Sequence, residues 1–197
     1  MYDDAVKLMD SSDLEAFDIT AEPATTRNRY GRGAFGQGCL LARRLAEYGV
    51  RFIEVNLDGW DTHVANFERV PERCSHLDKG MTALLADLES RGLLEDTLVV
   101  LATEFGRTPE VNVNKGRGHF PKAFSAVLAG GGIQGGTTYG KTDKNAANIL
   151  EDPIRPKDLN ATIAYALGLP LEKTIYSPNK RPFTVADKGK PIMELFA

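Results

Sequence analysis

The chain has 197 residues and a mass of 21.5 kDa, of which 42% are hydrophobic and 26% charged, as is typical of a globular protein with a core of its own. A formal net charge of -3 argues against nucleic-acid binding, which usually needs a concentrated basic face. No apolar run is long enough to span a membrane, and the acidic start MYDDAVKLMD lacks the features of a signal peptide.

The first part of the chain predicts an irregular extension followed by a helix and a strand. Residues 1 to 33 are polar and rich in turn formers, with a short helix expected at residues 2 to 9. Residues 34 to 49 predict a helix, because apolar side chains recur at helical spacing and Gly49 is a typical stop. Residues 50 to 57, VRFIEVNL, are rich in β-branched and aromatic types and predict a strand.

The rest of the chain predicts a parallel sheet covered by helices. Residues 76 to 92 have the pattern of an amphipathic helix, and residues 97 to 104, TLVVLATE, that of a strand covered on both faces. Strand, helix and strand in this order predict a parallel βαβ unit. Residues 123 to 132 predict a third strand and residues 156 to 170 a late helix. We therefore expect a single α/β domain with a mostly parallel central sheet flanked by helices on both faces.

Three polar clusters lie beside the ends of the predicted strands. DGWDTH follows the first strand, EFGRTPE follows the second, and NKGRGHF precedes the third. Ligands of open α/β sheets gather beyond the carboxyl ends of the strands, so we expect these clusters to converge. The candidate metal ligands are Asp61, His63, Glu104 and His119, with Asp58 as a spare.

Carboxylate and imidazole side chains together suit a divalent cation such as zinc or manganese, which activates water or polarises an ester oxygen. Arg107 lies close to these ligands in sequence and is a candidate contact for phosphate or sulfate oxygens. Each cluster also has a plain structural interpretation. An Asp-x-His triplet is common in surface turns, Glu104 can pair with Arg107, and His119 can be a solvated loop histidine.

Five stretches that overlap these clusters run in order over about residues 27 to 190 and resemble a known family. They are YGRGAFGQGCLLARRLAEYGVRFIEV, GWDTH, LADLESRGLLEDTLVVLATEFGRTPEVN, GRGHFPKAFSAVLAGGGIQGGTTYG and DLNATIAYALGL. The chain resembles the domain of unknown function 1501 (DUF1501) family, sulfatase-like proteins of the alkaline phosphatase superfamily.

The resemblance implies a largely parallel sheet and one or two metal ions held by aspartates and histidines. Superfamily enzymes cleave phosphate, sulfate or phosphonate esters. Asp61 and His63 resemble the Asp-and-His ligand pair, Glu104 the acidic ligand after the next strand, and His119 the late histidine ligand. The implied cofactor is a divalent metal, zinc foremost and manganese or calcium as alternatives. The implied substrate is a small anionic ester such as a sulfated or phosphorylated sugar.

Two departures from the family pattern shape the functional prediction. Family members usually continue upstream, where superfamily enzymes carry an early metal-binding aspartate and the nucleophile. We therefore expect this chain to be the C-terminal portion of a longer architecture, from a family that is often exported. The family usually reads Asp-His where this chain has Gly118 and His119, and Phe105 stands where superfamily enzymes often carry a histidine.

These features predict a metal-dependent hydrolase of phosphate or sulfate esters. The alternative is a non-catalytic binding or scaffold domain with a degenerate metal site. A fold missing strands would expose a sheet edge, which predicts a homo-oligomer.

Overall fold

A computed structural model describes residues 11 to 196, and the short helix expected at residues 2 to 9 lies outside this range. The chain divides into two compact units. Unit 1 comprises Met1–Leu93 and Asn112–Gly116, and unit 2 comprises Leu94–Val111 and Arg117–Ala197.

Unit 1 is built on three α-helices, which are α1 (Ala24–Tyr30), α2 (Ala34–Glu47) and α3 (Asn66–Ser90). Two short 3-10 helices, Ser12–Phe17 and Ile19–Ala21, precede them. The helix predicted after residue 33 is confirmed as α2. The next predicted helix is confirmed as α3, but it begins at Asn66 rather than at His76 and continues through Pro71, which lacks an N–H for the helical ladder.

The core of unit 1 lies where these helices meet. Gly80 allows α2 and α3 to approach closely, because a Cβ at this position would lie 2.9 Å from the Phe35 ring. Burial raises the pKa of the Cys39 thiol to about 11, so it stays protonated and packs as a small apolar group. The buried apolar cluster consists of Tyr30, Cys39, Leu40 and Ala83.

Arg43, on α2, is only 1% exposed and lies at the centre of a buried ionic network. Its Nη2 lies 2.6 Å from Glu22 Oε1, and its Nη1 donates to Glu47 Oε2 at 2.7 Å. Its Nε lies 3.7 Å from Asp87 Oδ2, which also accepts a hydrogen bond from Tyr30 Oη at 2.8 Å. The network therefore ties α1, α2, α3 and the segment before α1 to one another.

Unit 2 contains four short strand pairs, each forming a separate two-stranded antiparallel sheet. The strands are β1 (Val99–Leu101), β2 (Gly106–Arg107), β3 (His119–Phe120), β4 (Val127–Ala129), β5 (Lys141–Thr142), β6 (Ile149–Glu151), β7 (Ile175–Tyr176) and β8 (Pro182–Phe183). The pairs are β1 with β4, β2 with β3, β5 with β6, and β7 with β8.

The predicted α/β fold with a mostly parallel central sheet is wrong. Within residues 11 to 196 every strand pair is antiparallel, and residues 50 to 57 form no strand. Val55 instead packs from a loop against the core of unit 1, while Phe52 is 79% exposed. Only three residues of TLVVLATE pair, and they pair antiparallel with β4. A short apolar run indicates burial, but it does not select a partner strand or a direction.

The late helix is confirmed as α4 (Pro156–Ala166) in unit 2. It ends before Gly168, whose φ of +67° suits glycine better than other residues. Across residues 11 to 196, no helix is both long enough and apolar enough to cross a membrane.

Replacing Arg43 by Met should strongly destabilise the protein. The largely buried carboxylates of Glu22 and Asp87 would each lose one of two cationic partners, keeping only Arg44 and Arg29, which should lower the free energy of unfolding by about 3 kcal/mol. Urea denaturation measures this change. Arg51→Met, at an exposed position, is the control and should change the value by less than about 0.5 kcal/mol. Equal losses in both variants would contradict the assigned role of Arg43.

Protonation of Glu22 should also lower the free energy of unfolding in acid. Burial raises the pKa of the Glu22 carboxyl, but hydrogen bonds from Arg43 and Arg44 outweigh it and hold the pKa below its ordinary value of 4.5. This stabilisation is present above pH 4.5 and is lost as the pH falls through the folded-state pKa. Below pH 4.5 the urea midpoint should fall less steeply in Glu22→Gln than in the wild type. In the exposed control Glu68→Gln the urea midpoint should fall with pH as steeply as in the wild type. An equally steep fall in Glu22→Gln would refute the contribution of Glu22 to stability.

Candidate metal centre

The triplet Asp61, Thr62 and His63 places two candidate ligand atoms side by side in unit 1. Thr62 is 1% exposed, whereas Asp61 and His63 on either side of it are exposed. His63 Nε2 lies 3.0 Å from Asp61 Oδ1. The loop therefore holds an imidazole nitrogen and a carboxylate oxygen close together and accessible to solvent.

Thr62 anchors this loop to the beginning of α3. Its Oγ1 donates a hydrogen bond of 2.7 Å to Oδ1 of Asn66, the first residue of the helix, and both side chains are buried. The Thr62 N–H donates to the Trp60 carbonyl at 2.9 Å. Because its hydroxyl and its N–H are both hydrogen-bonded within the protein, Thr62 can be buried while its neighbours face water.

Asn112 holds the same loop from the other side. Its Nδ2 donates to the His63 carbonyl at 2.9 Å, and its Oδ1 accepts from the N–H groups of Asn114 and Gly116, also at 2.9 Å. One side chain thus closes its own turn and fixes the backbone of a candidate ligand.

The turn at residues 112 to 116 also completes the start of α3. The N–H groups of Ala65 and Asn66 donate to the carbonyls of Asn114 and Lys115, at 3.1 and 2.9 Å. Ala65 precedes the helix and makes no side-chain cap. These two carbonyls therefore accept hydrogen bonds from N–H groups at the helix start, as a capping side chain would otherwise do.

The other candidate residues lie in unit 2. Arg107 of β2 stands directly opposite His119 of β3 in the antiparallel register. The Phe105 ring packs against the His119 ring with their centroids 4.4 Å apart, and the Arg107 guanidinium carbon lies 5.9 Å from the Phe105 centroid. Phe105 therefore contributes packing at the position where the family resemblance would place a histidine. Glu104, the residue before it, is exposed.

Gly118 extends the pairing of β2 and β3 by one step. Its carbonyl accepts from the Thr108 N–H and its N–H donates to Thr108 Oγ1, both at 3.0 Å. Arg117 Nη1 donates to the carbonyls of Thr108 and Pro109 at 2.6 Å. Arg117 thus supports the backbone of this hairpin, which positions His119.

The structure brings together Asp61 with His63 in unit 1, and Arg107 with His119 in unit 2. The assignment of Glu104 and His119 to the same ion as the first pair stays a prediction. Sequence reasoning missed two positioning residues, Thr62 and Asn112. Asn112 carries a usable signal, because the segment NVNKG has the composition of a turn closed by an Asn side chain.

The family model described as "Protein of unknown function (DUF1501)" matches residues 1–196. The chain belongs to the DUF1501 family. The resemblance identified from the sequence motifs is thereby confirmed at family level. No curated protein and no solved structure matches this DUF1501 chain.

Two glycines in the DUF1501 chain should respond differently to substitution by Ala. A Cβ at Gly116 would lie 1.9 Å from the His63 carbonyl oxygen, whereas the nearest atom to a Cβ at Gly118 is Thr108 Cγ2 at 3.5 Å. Gly116→Ala should displace the turn from the His63 loop and lower the free energy of unfolding by about 1–3 kcal/mol. Gly118→Ala should change it by less than about 0.5 kcal/mol in the same urea titration. If Gly116→Ala matches Gly118→Ala, the described packing of the turn is incorrect.

Proposed function

We propose that this DUF1501 chain carries the metal-binding part of a hydrolase of phosphate or sulfate esters. The observation that carries the proposal is the separation of 3.0 Å between Asp61 Oδ1 and His63 Nε2 on an anchored loop. Two ligands bonded to one tetrahedral zinc at about 2.0–2.1 Å lie roughly 3.3 Å apart. The pair therefore needs little rearrangement to bind an ion in place of its mutual contact.

Asp61 and His63 are the first two ligands in this proposal, and Glu104 and His119 are the expected remaining ones. Zinc suits a set of two histidines and two carboxylates, and manganese or calcium are the alternatives. Support for the second pair comes from the family motifs that contain them, EFGRTPE and GRGHF.

A bound ion would polarise the ester and stabilise the charge that develops on its oxygens. Arg107 is suited to hold the anionic group, because it lies across the strand pair from His119 and offers a planar set of donors to phosphate or sulfate oxygens. The Phe105 ring, in contact with His119, restricts the orientation of that imidazole. The expected substrate is a small anionic ester, such as a sulfated or phosphorylated sugar, and the proposal assigns no nucleophile.

One observation favours a second candidate function, a non-catalytic binding or scaffold domain. Gly118 stands where the resembled family usually has an aspartate, so this chain offers one carboxylate fewer beside His119. The backbone has room for the missing side chain, because a Cβ at Gly118 would make only ordinary van der Waals contact with Thr108.

The three histidines of the chain allow a matched test. His63→Ala and His119→Ala should each weaken zinc binding by at least about a hundredfold, because each removes a ligand. His76→Ala, on the exposed surface of α3, is the control and should bind zinc like the wild type. Isothermal titration with zinc, and metal analysis of the purified protein, measure the difference. Gly118→Asp should bind zinc more tightly than the wild type.

Assays with aryl phosphate and aryl sulfate, in the presence of zinc, manganese or calcium, distinguish the two candidates. Turnover that requires His63, His119 and Arg107 but not His76 supports the hydrolase. Metal binding without turnover supports the scaffold domain. A wild-type chain that binds none of the three metals refutes the metal site itself.

A further inference from the structure

A basic hairpin formed by β7 and β8 differs from the candidate metal centre in composition, because it combines cations with large apolar side chains. Ile175 pairs with Phe183, and Tyr176 pairs with Pro182. The turn is closed by hydrogen bonds from Ser177 N to the Arg181 carbonyl at 3.0 Å and from Lys180 N to the Ser177 carbonyl at 2.8 Å. We define the basic hairpin by the side chains of Lys173, Ile175, Tyr176, Lys180, Arg181 and Phe183.

Large apolar side chains of the basic hairpin face solvent. Tyr176 is 65% exposed, Phe183 49% and Ile175 40%. Ile175 and Phe183 oppose each other across the ladder and so share one face, whereas Tyr176 projects from the other. Three large apolar side chains exposed on one short hairpin form a clustered apolar surface, which is the kind of feature that marks a contact with a partner or a membrane.

The charge of the basic hairpin is opposite in sign to that of the whole chain. Between Lys173 and Ala186 the sequence has three cations and no carboxylate, although the formal net charge of the chain is -3. The three cations, Lys173, Lys180 and Arg181, are all exposed. Across residues 11 to 196, none of them pairs with a carboxylate; the ion pairs of unit 2 join other residues.

The segment that follows the basic hairpin packs against α4 and is hydrogen-bonded to it. Lys190 N donates to Asp158 Oδ1 and Ile192 N donates to Thr162 Oγ1, both at 3.0 Å, and Ile192 is buried. Gly189 lies against the helix so closely that a Cβ there would be 1.9 Å from the Lys157 carbonyl oxygen. Since α4 precedes the hairpin and this segment follows it, both ends of the hairpin are held on unit 2.

We propose that the basic hairpin docks on an anionic phospholipid surface. Its three cations complement lipid phosphates, and side chains such as Tyr176 and Phe183 are of the type that enters the interface between headgroups and acyl chains. The pairing of Ile175 with Phe183 favours lipid over a soluble polyanion, because this hydrocarbon pair offers nothing to sulfate or phosphate groups but inserts readily between acyl chains.

Co-sedimentation of the full chain with vesicles tests the proposal. Vesicles of phosphatidylcholine mixed with phosphatidylglycerol should retain the protein, whereas vesicles of phosphatidylcholine alone should not. Binding should weaken as salt is raised, because the cations act through screened electrostatics. Equal binding to both vesicle types, or no binding to either, overturns the proposal.

Lys180→Gly removes one cation without straining the turn, because Lys180 has a φ of +60°, which glycine adopts readily. We expect about fivefold weaker partitioning onto the anionic vesicles. Lys115→Gly is the matched control, an exposed lysine at a φ of +56° in unit 1, and it should partition like the wild type. Equal losses in both variants would show only an effect of net charge and overturn the assignment to the hairpin.

Phe183→Ser tests the apolar contribution and should weaken partitioning by about tenfold or more. Phe52→Ser removes an even more exposed ring from unit 1 and should have no effect. Unchanged melting temperatures would exclude unfolding as the cause of any loss. Dextran sulfate is the remaining comparison. In this comparison dextran sulfate competes with the vesicles for the protein. If it releases the wild type and Phe183→Ser from vesicles to the same extent and binds both with equal affinity, the partner is a soluble polyanion and the lipid proposal fails.

Discussion

The buried guanidinium of Arg43 is the interaction on which the organisation of unit 1 depends. A charge removed from water must keep its partners, so the pairs of Arg43 with Glu22 and Asp87 restrict how α2 can move relative to the segment before α1 and to α3. Tyr30 connects α1 to the same carboxylate of Asp87. Desolvation and the hydrogen bond to Asp87 raise the pKa of the Tyr30 hydroxyl, so it stays a protonated donor at neutral pH. The position of α3 is therefore set electrostatically as well as by apolar packing.

The start of α3 positions the loop that contains Asp61, Thr62 and His63. Thr62 is bonded to the first residue of that helix, and Asn112 holds the next backbone carbonyl along the loop. These two contacts fix the backbone and leave the side chains of Asp61 and His63 facing solvent. A ligand pair that is positioned before an ion arrives loses less conformational freedom on binding, which is why an anchored loop suits a metal centre better than a mobile one.

Unit 2 stabilises short hairpins through polar side chains in their turns. Thr108 Oγ1 accepts from Gly118 N, and Ser177 Oγ accepts from Arg181 N at 3.1 Å. Asp143 Oδ1 accepts from two backbone N–H groups in the turn between β5 and β6. Strand pairs of two or three residues have few ladder bonds, so these local bonds determine their shape. Arg107, His119 and the basic hairpin all stand on elements of this kind.

The sequence by itself determined features that depend on neighbours along the chain. Apolar spacing and terminal glycines located α2 and α4, and the Asp-x-His triplet with its surrounding motifs identified the family and the candidate ligands. The tertiary structure alone decided which strands pair and in which direction, that residues 50 to 57 pack as a loop, and that Thr62 is buried between two exposed candidate ligands. Local periodicity indicates which side chains are buried. Strand pairing and loop anchoring instead depend on contacts between distant parts of the chain, such as that of Asn112 with His63.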